Sequence, residues 1–203
     1  MLLDWRILDF EYKPFVEIQT AMQAALDHAH EHPQLWMGEH PLVVSKGLRS
    51  RNEPIYYQGL THVQATRGGQ LTLHLPGQLV FYPIFKIEEF ITIHSYIYLL
   101  EQIVIDFLAN LNVEGKRCDG APGVYTDRGK IASVGLRVSR GIVHHGLSFN
   151  ITCPLRPFSW LVCCGQPNMS FTSLANYKLY PSLNFVKEYF IDRFFSLLVK
   201  GSK

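Results

Sequence analysis

Along residues 91–111 apolar side chains return every third or fourth position. Ile93, Ile97, Leu100, Val104, Phe107 and Leu111 form one stripe, and the run also contains His94, Glu101, Gln102, Asp106 and Asn110. That period predicts an amphipathic helix with one buried face. The run is long enough to consider for a membrane span, but its charges and amides make it a core helix instead. A first helix is predicted from Pro14 to about His30. Proline suits a first turn, Met22, Ala25, Leu26 and Ala29 make the apolar side, and Pro33 stops it. A C-terminal helix is predicted over 183–199.

Short apolar runs mark the strands. They fall at 35–37 and 42–45, interrupted by Glu39-His40-Pro41, then at 60–65, ending in Arg67-Gly68-Gly69. Residues 71–74 lead to a Pro76-Gly77 turn, and 79–85 follow. Beyond the long helix, 123–126 and 130–138 read as a hairpin about Asp127-Arg128-Gly129, with one more strand at 142–152. Residues 154–166 carry Pro154 and Pro157 and read as loop. Strands in two runs with helices between them argue an α+β fold with a mixed, largely antiparallel sheet and flanking helices. No repeat or low-complexity tract divides the chain, so 1–203 is expected to be a single domain.

Composition narrows the function classes. At 203 residues, one core burying roughly 70% of the extended surface is within reach. A chain 47% hydrophobic and 18% charged is not disordered. A net charge of +2 is too mild for a nucleic-acid-binding face, and neither nucleic acid nor membrane is an expected partner. The opening residues place Asp4 and Arg6 inside an apolar stretch, unlike a signal peptide. The four cysteines, Cys118, Cys153, Cys163 and Cys164, form no C-x-x-C pair. A reducing cytoplasm is therefore expected, with a thiol available for chemistry.

Several residues are candidates for that chemistry. Cys118 and Cys153 read as small buried hydrophobes. Cys164 differs, because Gly165 follows it in a proline-flanked loop where backbone can approach a substrate. By strict alternation Lys130 shares a face with Ala132 and Val134, while Ile131, Ser133 and Gly135 take the other. It is either an inner-face lysine or a surface lysine opening a strand. The segment 67–78 is dense in glycine and polar residues but carries neither a P-loop nor a dinucleotide fingerprint, so a glycine-rich hairpin is its plain alternative. His28, His30 and His32 offer a metal-chelating set, but interaction with a helix C-terminus explains them more simply. His144-His145-Gly146 either lines a site or alternates across a strand. No zinc-ligand spacing occurs, and no metal or other cofactor is expected.

The blocks RGGQLTLHLPGQLVFYPI at 67–84, APGVY at 121–125, GKIASVGLR at 129–137 and HHGLSFNI at 144–151 resemble the lipoyl(octanoyl) transferases. So do EHP at 39–41 and CG at 164–165, in the same order over essentially the whole chain. The resemblance implies a fold like that of the biotin and lipoate protein ligases. It implies transfer of an octanoyl group from octanoyl-acyl carrier protein to a lysine of lipoyl domains in 2-oxo acid dehydrogenase complexes and the glycine-cleavage H protein. By motif match Cys164 is the acyl-thioester nucleophile and Lys130 its partner. Arg67, Gly68, Gly69, Gln70, Leu71, Thr72, Leu73 and His74, with Ser133, Val134, Gly135, Gly146, Leu147 and Ser148, line the substrate site. Two positions depart from the family pattern: Leu75 replaces a glycine after the motif histidine, and Cys163 replaces a proline before the nucleophile.

The chemistry suits these residues. A thioester donor is already activated, so no ATP is required. A cysteine with its ordinary pKa near 8.5 is only a few per cent ionised at neutral pH, and a neighbouring ammonium raises that fraction. Acylation then removes the thiolate charge, so the lysine gives up its proton more readily and can act as general base toward the attacking amine. Two rival readings remain: an ATP-dependent ligase of the same fold, needing no catalytic thiol, and a non-catalytic lipoyl-domain binding module, needing neither Cys164 nor Lys130.

Overall fold

The computed structural model describes residues 5–87, 92–166 and 169–201, with the side chains of Cys164 and Lys200 outside that description. In chain order the elements are β1 (Arg6–Tyr12), α1 (Phe15–Ala25), β2 (Gln34–Glu39), β3 (Val43–Lys46), β4 (His62–Gln64), β5 (Leu71–His74), β6 (Gln78–Lys86), α2 (Ile93–Asn110), β7 (Gly123–Thr126), β8 (Gly129–Ser139), β9 (Ile142–Asn150) and α3 (Leu183–Gly201). Short 3-10 turns span Arg156–Trp160, Cys163–Gly165 and Leu174–Tyr177.

A six-stranded sheet runs β1-β2-β6-β9-β8-β7 and a three-stranded one β4-β3-β5. Pairing is antiparallel except for β1 with β2 and β3 with β4. The mixed, antiparallel-dominated α+β sheet expected from the strand pattern is therefore the fold observed.

Both faces of the large sheet are covered, which is why β6 reads as a continuous apolar run rather than an alternation. Its odd positions Leu79, Phe81 and Phe85 join Leu35 and Met37 of β2 under α2 and α3, against Tyr96, Leu100, Phe107, Phe190 and Phe194. Its even positions Val80, Tyr82 and Ile84 join Trp36 under Ile18 and Met22 of α1. A third cluster fills the space between the small sheet and residues 153–163, where Leu71, Leu73 and Leu75 meet Cys153, Phe158, Leu161 and Cys163.

Several elements differ from the sequence pattern. β1 was not expected: it is an edge strand with Ile7, Leu8 and Tyr12 largely exposed, so it carries no inner-face periodicity. α1 ends at Ala25 rather than about residue 30. His28, His30 and His32 lie exposed in the turns beyond it, not on a helix end. The strand at 60–65 is confined to β4. α2 opens on Thr92, whose hydroxyl accepts from the Ser95 N–H at 3.0 Å; Ile91, the expected start, lies outside the described residues.

Candidate active site

Residues of β5, β8 and β9 line an open cavity of about 720 Å³, within the usual range for small-molecule sites. The loop before β5 is fixed by Arg67. Its buried guanidinium donates to Ser45 Oγ (3.1 and 2.8 Å), to Ser45 O (2.5 Å) and to Gly68 O (2.9 Å). Gly68 N–H bonds Leu136 O at 2.8 Å, tying the loop to β8. Gly69 takes φ +81°, a left-handed angle that favours glycine. Within β5 the side chains alternate. Thr72 and His74 line the cavity, and Leu73 enters the third apolar cluster, so Leu73 does not line the cavity as the motif implied. Leu71 both borders the cavity and joins that cluster. Leu75 is buried there too, away from the cavity wall.

The opposite wall is β8 and β9. Ser133, Val134, Gly135, Gly146, Leu147 and Ser148 all line the cavity. A Cβ at Gly146 would lie 2.0 Å from Phe81 O, so only glycine fits beside β6. Lys130 is buried, 2% exposed, and borders the same space. Its Nζ donates to Pro122 O at 3.0 Å and sits 5.0 Å from the centre of the Tyr125 ring.

The phase expected for Lys130 is corrected by a bulge. Val124 pairs with Ala132, but Tyr125 pairs with Lys130, which leaves Ile131 as an extra residue. Ile131 and Ala132 both enter the helix-side core, and Lys130 lies on the cavity side with Ser133 and Gly135 rather than with Ala132.

The cysteine loop returns to the same place. Ser170 O accepts from Lys130 N–H at 2.8 Å, and Lys130 O accepts from Thr172 N–H at 2.9 Å. Upstream, Cys163–Gly165 forms a 3-10 turn, Gly165 takes φ +68°, and a Cβ there would fall 2.2 Å from Gln70 Oε1. Gln70 and Gln166 both line the cavity. Cys163 is buried in the third apolar cluster. The Cys164 side chain is outside the described set. Cys153 is buried as expected, which pushes its thiol up to about 12, whereas Cys118 is exposed rather than core.

Cations without carboxylates characterise the walls: Arg49, Arg51, Arg67 and Lys130 border the cavity, and among the described residues no Asp or Glu does. Beside His74, which the motif match had placed at the site, lie two polar rings that the sequence did not assign there, His40 and Tyr82. His40 Nδ1 donates to Lys13 O at 2.7 Å, leaving Nε2 to accept from Tyr82 Oη at 3.2 Å. The Gln78 amide donates to Asn150 Oδ1 (2.9 Å) and Leu73 O (3.3 Å), so its oxygen accepts from His74 Nδ1 at 2.9 Å. His74 Nε2 has no hydrogen-bond partner among the described residues. Burial lowers His40 to about 4 and holds His74 and His145 well below 6.5, with neighbouring positive charge adding to the effect on the latter two. Of the histidine pair at 144–145, only His145 lines the cavity.

Tyr82, Leu48, Arg49, Ser50 and Arg51, Ile93 and Ile97, and the turn Gly120-Ala121-Pro122 were not anticipated as lining residues. Tyr82 stands in a run of buried residues that gives no reason to single it out, and residues 48–51 belong to a loop whose position depends on distant contacts.

This architecture is that of the lipoate and biotin protein ligases. A bipartite lipoate protein ligase from Thermoplasma acidophilum superimposes with a TM-score of 0.79 at 15% identity, over 97% of this chain and 84% of that one. A biotin protein ligase from Aquifex aeolicus gives 0.60 at 13% identity, over 100% and 73%. Sequence comparison is more specific. The lipoyl protein ligase A/B catalytic domain profile matches residues 12–195. An octanoyltransferase of Xanthomonas campestris pv. campestris (strain B100) is 36% identical over 192 residues, 93% of this chain and 83% of that protein. The chain belongs to the lipoyl protein ligase A/B family, among its octanoyltransferases, and is an acyltransferase.

Proposed function

We propose that the chain, acting as one catalytic domain over 1–203 in the cytoplasm, moves an octanoyl group from octanoyl-acyl carrier protein to a lysine of lipoyl domains, through a thioester on Cys164. The acceptors are the lipoyl domains of 2-oxo acid dehydrogenase complexes and the glycine-cleavage H protein. The observation that carries this reading is a buried lysine amine, Lys130, bordering a cavity walled by cations and free of carboxylates among the described residues. The backbone of Lys130 is bonded to the loop that follows Cys164.

In the first step the Cys164 thiolate attacks the thioester carbonyl, and the carrier's sulfur leaves as a thiol with the proton that Lys130 gives up, so that Lys130 is neutral for the second step. The surrounding positive charge favours both the attacking thiolate and the oxyanion of the tetrahedral intermediate. In the second step the acceptor amine attacks the acyl-enzyme, its proton passes to Lys130, and the Cys164 thiolate departs. The neutral histidines on the inner side of the cavity add no charge there, in keeping with an acyl chain as occupant. Arg67, Gly68, Gly69, Gln70, Leu71, Thr72, His74, Ser133, Val134, Gly135, Gly146, Leu147 and Ser148 are the substrate-site residues on this reading.

The test is intact-protein mass spectrometry after mixing enzyme with octanoyl-acyl carrier protein alone, with chelator and no ATP. One octanoyl group on Cys164 is expected, labile to hydroxylamine and discharged by a lipoyl domain. Lys130→Met is expected to slow transfer at least tenfold while leaving the fold intact. Strict dependence of transfer on ATP, or transfer without any adduct, would overturn the thioester mechanism.

A further inference from the structure

α2 carries one charged group that its packing does not explain: Glu101 is 6% exposed on the face turned into the protein. A buried carboxylate is costly unless it is paired and hydrogen-bonded. Its Oε2 accepts from Arg117 Nε at 3.0 Å, and Arg117 also donates to Tyr98 O (3.0 Å) and Gln102 Oε1 (2.7 Å), with its guanidinium 3.4 Å from the centre of the Tyr98 ring. Its Oε1 accepts from the Gly123 N–H at 2.8 Å. That N–H belongs to the peptide unit whose carbonyl, on Pro122, accepts from Lys130 Nζ at 3.0 Å. A single amide plane thus stands between a carboxylate and an ammonium, with one hydrogen bond on each side.

The plane is held closely. Gly123 has φ +136°, and a Cβ there would lie 2.3 Å from Ala132 O and 2.7 Å from Lys130 Cε. Only glycine lets the strand pass the lysine stem at this distance. A carboxylate on the N–H side polarises the amide and makes its carbonyl a better acceptor, an effect that is cooperative in a chain of bonds.

From this geometry we infer that Glu101 is a positioning residue for the acyl transfer, acting through the Pro122–Gly123 peptide to hold the Lys130 ammonium at the cavity wall, with Arg117 setting how much of its charge is felt. The inference rests on the reading of Lys130 as the partner of Cys164. Among the described residues, the groups near Lys130 include the Tyr125 ring from β7 and, elsewhere on the cavity wall, the Arg67 guanidinium and the neutral His74 and His145.

The two members of the ion pair make opposite predictions, which a purely structural role does not. Glu101→Gln keeps an oxygen for the Gly123 N–H but removes a negative charge about two hydrogen bonds from Lys130. Arg117→Gln leaves that charge uncompensated. The measurement is the rate of iodoacetamide alkylation at Cys164 against pH, resolved by peptide mapping, with the pH profile of octanoyl transfer in parallel. Glu101→Gln is expected to move both profiles about half a pH unit down, and Arg117→Gln to move them up by a similar amount. Melting temperatures of both variants establish that they are folded.

Lys130→Met serves as the reference. If it alters the alkylation profile but neither Glu101→Gln nor Arg117→Gln does, Glu101 only braces the turn and the inference falls alone. If both variants move the profile in the same direction, the charge relay is likewise refuted. If Lys130→Met leaves the profile unchanged, the assignment of Lys130 fails, and the inference fails with it.

Discussion

Acid should unfold this protein through its histidines. His40, His74, His144 and His145 are at most 4% exposed. Burial drives His40 and His144 down to about 4, Arg137 adding to the effect on His144, and holds the other two well below 6.5. In the unfolded chain the same groups take up protons as pH falls through about 6.5. The folded state refuses them, so the stability present above that value is lost as pH falls toward 4. Below the unfolded pKa each such histidine removes about 1.4 kcal/mol per pH unit. At about pH 5, His40 and His144 alone remove roughly 4 kcal/mol, against a total stability of about 5–15 kcal/mol for a domain of ordinary size. His74 and His145 add in the same direction. Glu39 opposes them, because burial raises its carboxyl and the fold holds that proton more readily, but it is one group against four. Urea unfolding followed by circular dichroism across pH 8 to 5 measures the slope, which is expected to report uptake of at least two protons below about pH 6. His40→Asn should remove one of them, at some cost in neutral-pH stability from losing the Lys13 and Tyr82 bonds. A stability unchanged between pH 7 and 5 would refute the reasoning, since buried neutral histidines cannot be acid-indifferent.

Two further outcomes test the cysteine loop. Cys163→Ala is expected to lower stability by about 1–2 kcal/mol through a small void beside Leu71 and Leu73, while most transfer activity is retained; loss of the octanoyl adduct in this variant would move the nucleophile to Cys163. Gly165→Ala is expected to cost about 1–2 kcal/mol from its positive φ and to displace the Gln70 carboxamide. Octanoyl transfer should then fall several-fold, and wild-type turnover would show that the turn has room to adjust.

The elements legible in the sequence were those with a buried face. α2 and α3 announce themselves by apolar spacing because each packs one side on the large sheet. β5, β6, β8 and β9 were placed to within a few residues for the same reason. β1 was not, because an edge strand whose residues are nearly all exposed carries no such signal; it is held by pairing with β2 and by the Lys187–Asp9 ion pair at 2.5 Å, both invisible without the fold. Among site residues, glycines were the informative ones. Gly69, Gly146 and Gly165 each mark a place where backbone geometry or a close neighbour excludes a side chain. His74 is legible through its motif, but His40 and Tyr82 are not, since an aromatic or a histidine in an apolar strand reads the same whether it faces a core or a cavity.

Lys130 shows where alternation itself breaks down. Period-two counting assumes an uninterrupted ladder, and under it Lys130 points with Ala132 toward the helices. One extra residue at Ile131 reverses the phase of everything before it. The bulge lets two consecutive apolar side chains, Ile131 and Ala132, fill the core while the lysine turns to the cavity. Without it an ammonium would be driven into the apolar layer beneath α2, a costly burial. The irregularity in the strand is therefore what makes a buried lysine compatible with a well-packed core, and it also sets Lys130 against the peptide that Glu101 holds.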